Sequence, residues 1–152
     1  MALAVAITGT RQTGHREPGW YAERFGTFLG PWATDGAHFF IGGAIGIDSL
    51  TLLWLAGNST SRITIVVPGT VAQQPAEARQ AIERCRDRIA RIVELGAADL
   101  RTPAYHARNG YMVDRAQMVI GFPLDRSEAA SGTWQTLDYA ASQGKPRLIV
   151  PV

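Results

Sequence analysis

Three short runs in the sequence bring glycine, hydroxyl and charged residues together at spacings suited to an anion. The first is Thr8-Gly9-Thr10-Arg11-Gln12-Thr13-Gly14. Glycines let the backbone approach a ligand closely, threonine hydroxyls donate, and Arg11 can make charge-assisted hydrogen bonds. The second, Gly42-Gly43-Ala44-Ile45-Gly46-Ile47-Asp48, falls between an apolar run and a helical pattern. That placement aims backbone N–H groups and the positive end of a helix at one point. The third is Ser131-Gly132-Thr133, which suits a phosphate cradle and an ordinary helix N-cap equally. None of them has the G-x-G-x-x-G spacing of a dinucleotide fingerprint, and no G-K-[ST] phosphate loop occurs in the chain. Each run taken alone also describes a plain surface turn.

Two carboxylates, Asp48 and Asp114, fall in or beside these runs and are the candidates for catalysis. A carboxylate there could stabilise an oxocarbenium-like state and orient water for cleavage of an N-glycosidic bond. Asp48 has quieter readings too: it caps its helix, or it takes a ribose hydroxyl. Arg108 and Asn109 are expected at the start of a helix over Ala107–Arg115, facing the same edge as the glycine turns. His106 reads equally as a turn residue. No His/Cys/Asp/Glu grouping has metal-ligand spacing, so no metal and no cofactor is expected.

These residues need elements to position them. Strands are expected at Leu3–Thr8, Ala37–Ile41, Arg62–Val67, Met118–Phe122 and Arg147–Val150, with a weaker extended piece around Ala98–Thr102. Helices are expected over Trp20–Leu29, over Ser49–Ala56 with a left-handed cap at Gly57-Asn58, and over Thr133–Ser142. The longest helix is expected from Pro75 to Leu95, because Ala78, Ile82, Cys85, Ile89 and Ile92 step by three and four. The polar loop 123–131 is expected to be the most mobile segment. Strands that are apolar throughout, alternating with helices, belong to a buried parallel sheet. The expected fold is therefore a Rossmann-like three-layer α/β domain, with a mostly parallel sheet flanked by helices, over residues 1–152. Ligands in such sheets bind at the carboxyl ends of the strands.

Composition narrows the function classes. The 152 residues are 46% hydrophobic and 18% charged, as in a globular domain with a core of its own. A single cysteine, Cys85, excludes a disulfide framework and reads as a buried packing residue, which suits a cytoplasmic setting. The apolar start is too short for a signal-peptide core, and no run approaches a membrane span, so no membrane partner is expected. A net charge of +2 accommodates an anionic small molecule without demanding nucleic acid. Arg79, Arg84, Arg86, Arg88 and Arg91 crowd one segment, but Glu83 and Asp87 dilute them. Four tryptophans are many for this length and point to a homo-oligomer; Trp134 reads as core, subunit contact or a base-stacking surface.

Taken in order, Ile7-Thr8-Gly9-Thr10-Arg11, Gly42 to Asp48, Arg108-Asn109, Ser131-Gly132-Thr133 and Gln143-Gly144-Lys145-Pro146 resemble the DprA/LOG-type Rossmann domains, the SLOG superfamily. The resemblance spans nearly the whole chain. It implies a nucleotide-related ligand held by these loops. Within that group some members are nucleoside-monophosphate phosphoribohydrolases, some sense nucleotide-derived signals, and the DNA-processing protein A branch acts on single-stranded DNA. The LOG enzymes carry P-G-G-x-G-T-x-x-E; here Thr136 stands at the Glu position and one glycine replaces the pair. The expectation is a nucleotide-binding protein with Arg11 and Arg108 as charged clamps, the alternatives being an N-glycosidase and a single-stranded DNA binder.

Overall fold

A computed structural model describes residues 2–125 and 131–152. Six strands, β1 (Ala4–Gly9), β2 (His38–Gly42), β3 (Arg62–Val67), β4 (Ile89–Glu94), β5 (Met118–Phe122) and β6 (Arg147–Ile149), form one sheet in the order β4-β3-β2-β1-β5-β6. Every pairing is parallel. The Rossmann-like three-layer architecture is as the sequence leads one to expect.

Helices α1 (Pro18–Phe28), α2 (Ile47–Asn58) and α3 (Ala76–Arg84) cover one face of the sheet. Tyr21 and Phe25 of α1, Leu52 and Leu55 of α2, and Ile82 of α3 pack there on Ile7, Phe39, Ile41, Ile63 and Ile65. Helices α4 (Thr102–Arg115) and α5 (Gly132–Ser142) cover the other face, where Met112, Val113, Leu137 and Ala140 meet Ala6, Phe40, Val66 and Val119. The chain thus changes sides between β4 and α4. Strand order reverses at the β1–β5 pair, and a crevice opens beyond the carboxyl ends of such a pair.

The expected helix over Pro75–Leu95 is wrong in its second half. Helix α3 ends at Arg84, a single 3-10 turn covers Arg86–Arg88, and Ile89–Glu94 is the edge strand β4. The cause is a bulge. Ile63 pairs with Ile89 but Thr64 pairs with Arg91, so Ala90 is an extra residue in the ladder. Ile89 and Ile92 therefore pack on the same core although they are three apart, and the strand imitates a helical stripe. Cys85, just past the end of α3, is buried as expected.

Other boundaries move less. Helix α2 runs through Gly57 and Asn58 and ends at extended Ser59, so the left-handed cap expected there is absent. Residues 98–101 form no strand. Helix α4 begins at Thr102, five residues before the expected start, which places Arg108 and Asn109 in its middle and buries both. Residues 126–130 of the polar loop lie outside the described residues, so its expected mobility is not tested. No helix among the described residues is long and apolar enough to cross a membrane.

Candidate functional site

A cavity of about 390 Å³ opens at the switch point, large enough for a small ligand. The end of β1 and the loop after it supply Thr8 to Gln12, and α2 supplies Asp48. The other wall comes from α4, through Thr102, Tyr105, His106, Arg108 and Asn109, and from Ser131, Gly132, Thr133 and Gln135 at the start of α5.

The β1–α1 loop is fastened at its root. Thr10 donates its N–H to Phe122 of β5 and accepts from the N–H of Ile47. Its hydroxyl accepts the Gln12 N–H at 3.1 Å, which turns Arg11 outward. The close crossing of this loop over α2 needs Gly46, whose φ is +74° and where a Cβ would stand 2.5 Å from the Thr10 carbonyl oxygen.

Asp48 lies in the first turn of α2, but Gly46 is the capping position. Its Oδ2 reaches back to accept the N–H of Ala44 at 3.2 Å. Burial pushes its carboxyl up to about 6, against the opposing pull of Arg108, the Ala44 N–H and Arg11. Arg108 is 5% exposed, and burial lowers its pKa while Asp48 pulls the other way. Its Nε donates to Asn109 Oδ1 at 2.8 Å, and Asn109 Nδ2 donates to Gln135 Oε1 at 3.1 Å, tying α4 to α5. Its Nη1 is enclosed and has no acceptor among the described residues.

Gly42 is what allows these two groups to meet. A Cβ there would stand 2.5 Å from Arg108 Nη1 and 2.6 Å from Asp48 Oδ2. Yet the salt bridges among the described residues are confined to two exposed pairs, Arg86–Glu83 and Arg101–Asp99. Asp48 and Arg108 face one another across the floor without closing a pair. Above them the Tyr105 ring carries two guanidiniums, Arg11 at 5.1 Å and Arg108 at 5.7 Å from its centroid. Opposite, Ser131 caps α5 by accepting the Trp134 N–H at 3.3 Å. The N–H groups of the first helical turn, at Gly132 and Thr133, have no intrahelical partner.

The structure therefore brings together Gly9, Thr10, Arg11, Ala44, Asp48, Arg108, Asn109, Ser131, Gly132 and Thr133. Thr13 and Gly14 lie beyond the cavity, where the Thr13 carbonyl accepts the Tyr21 hydroxyl. Gly42, Gly43 and Gly46 sit behind the wall as spacers; Gln74 donates to the Gly43 carbonyl at 2.5 Å. Asp114 is away from the cavity, exposed near the far end of α4, where it accepts the Tyr139 hydroxyl at 2.7 Å. Asp48 is the one carboxylate lining the cavity among the described residues. Tyr105 was not singled out from the sequence, because the expected helix began after it, and Gln135 was not because it is a lone amide inside the expected last helix. Trp134 is half-buried against the α4–α5 core.

No protein-family model matches the chain. No curated protein matches it either. Among solved structures, DNA processing protein A from Helicobacter pylori superposes with a TM-score of 0.75 at 20% identity, covering 99% of this chain. The two share a Rossmann-like three-layer α/β fold over the matched part. This chain spans 66% of the length of that one, and the work on that protein concerns its single-stranded DNA binding mode.

Proposed function

We propose that the cavity binds the phosphate of a nucleotide or nucleotide-derived ligand. Arg108 carries the reading: its guanidinium lies buried on the wall of the cavity and, among the described residues, is engaged through Nε alone, which leaves a cation held ready for an anion. Arg11 lines the same cavity, as do Gly132 and Thr133 at the start of α5, where helix N–H groups suit an anion.

The test is calorimetric titration with the ribonucleoside monophosphates. Arg11→Ala and Arg108→Met should each weaken binding by about tenfold or more, the worth of one charge-assisted contact. Arg79→Ala, on the distant face of α3, should leave it unchanged. Binding that is indifferent to both cavity arginines would refute the proposal. Chromatography of the same mixtures reads turnover, since free base that vanishes in Asp48→Asn would make the site an N-glycosidase.

A second reading, single-stranded DNA, is favoured by the binding mode reported for the structural neighbour. It also has local support at the start of α1, where Arg16 from the preceding loop and Arg24 lie 4.5 and 4.7 Å from the centroid of Trp20. Arginine–aromatic pairs of this kind suit stacked bases and a phosphate backbone.

A further inference from the structure

We infer that anion binding in this cavity is coupled to proton uptake: Asp48 meets the phosphate as a neutral carboxyl that donates a hydrogen bond, while Arg108 supplies the charge. The inference rests on the phosphate reading and adds how pH regulates that site.

The geometry places two opposed demands at one point. Asp48 Oδ2 and Arg108 Nη1 both stand within 2.6 Å of the position that a Cβ on Gly42 would occupy, yet the two side chains close no ion pair. Both line the cavity. An oxyanion hydrogen-bonded to the Nη side of Arg108 is therefore a close neighbour of the carboxyl. Asp48 is 7% exposed, so little water screens one from the other. An ionised carboxylate only accepts, and it repels the incoming charge. A protonated one keeps the Ala44 N–H on Oδ2 and offers an O–H from its other oxygen.

Few groups face Asp48. Burial pushes its carboxyl up to about 6 before a ligand arrives, against the pull of Arg108 on α4, the Ala44 N–H and Arg11 on the β1–α1 loop. His106 of α4 lines the same cavity. A phosphate that draws on Arg108 offsets that pull and adds a negative charge, so the carboxyl rises further. A group raised by binding takes up a proton between its two values. Affinity is then full below pH ~6 and is lost as pH climbs through the window, approaching about tenfold per unit, the limit for one proton.

The experiment titrates the parent and Asp48→Asn calorimetrically with the ribonucleoside monophosphates, in pairs of buffers of different ionisation enthalpy, which counts the protons taken up. Asparagine presents an amide N–H without a charge. At about pH 8 Asp48→Asn should bind about tenfold or more tighter than the parent and take up fewer protons, and near pH ~5 the two should match. The ligand's own phosphate and His106 titrate in both proteins, so the comparison isolates Asp48. Should the variant fail to fold, sulfate, whose charge is constant over this range, serves with the unaltered protein and with His106→Gln; both should take up a proton on binding at about pH 7. An Asp48→Asn that binds no tighter than the parent at about pH 8, with binding still weakened by Arg108→Met, would overturn the coupling and leave the phosphate reading standing. Sulfate bound without proton uptake would do the same. Failure of sulfate and of every monophosphate to bind would overturn both.

Discussion

Asp48 destabilises the fold when it is ionised. Its carboxyl titrates near 3.8 when unperturbed and is pushed up to about 6 by burial. Between those values the folded protein holds a proton that the unfolded chain has released, so stability falls as pH rises through this window. Above pH ~6 the ionised group costs on the order of 3 kcal/mol, from about 1.4 kcal/mol per pKa unit. Asp48→Asn keeps an acceptor for the Ala44 N–H and removes the charge. The variant should be more stable than the parent at pH 8 in urea unfolding, with the difference shrinking towards pH 4. A less stable Asp48→Asn at pH 8 would mean that attraction to Arg108 outweighs desolvation. The residue type was legible in the sequence, since it stands in a glycine turn before a helix. Of the readings it left open, the helix cap does not hold, because Gly46 takes the capping position.

At the scale of elements, α4 is the member that the site depends on most. Its middle supplies Arg108 and Asn109, and its far end is clamped. Lys145 donates from Nζ to the carbonyls of Val113 and Ala116 at 2.7 Å each and of Asp114 at 3.1 Å. A cation placed on the last carbonyls of a helix opposes the negative end of the dipole, and here it adds to the Ala116 N–H that the Val113 carbonyl already accepts. Lys145→Met keeps the aliphatic stem and loses all three bonds. It should lower the unfolding free energy by about 1–3 kcal/mol, read from the denaturant midpoint at constant slope. The sequence showed this helix only from Ala107, because Pro103 looked like a break; it stands instead at the second helical position, where a missing N–H does no harm. The bulge at Ala90 was illegible for a different reason. One inserted residue changes the period of a strand from two to three locally, and no single-residue signal announces it.

For the whole molecule, the alternation of apolar strands and helices sufficed to specify layers and parallel pairing. What it could not specify was which strand pair marks the reversal, since that depends on the crossover after β4, and β4 was hidden in the expected helix. The site followed from the reversal: the first and third runs meet across β1 and β5, while most glycines of the second stand behind them. The two functional readings separate at this scale as well. A small ligand in the cavity releases few counterions, whereas a strand tracked along α1 releases many. Affinity for a deoxythymidine oligomer should therefore depend weakly on salt if only the terminal phosphate enters the cavity. A logarithmic slope beyond about −2, reduced by Arg16→Ala or Arg24→Ala, would instead show a backbone path outside it.

Lys145 is the one lysine in the chain, against fourteen arginines that amine reagents leave untouched. An ammonium engaged with three carbonyls is a poor nucleophile, because acylation requires it to shed its proton and leave those partners. The rate at which Lys145 is acylated is thus a clock for the opening of the α4 end. The increment located on the Lys145 peptide after digestion, apart from that on the α-amino group and followed over time, would report whether ligand held at the middle of that helix slows the release of its terminus.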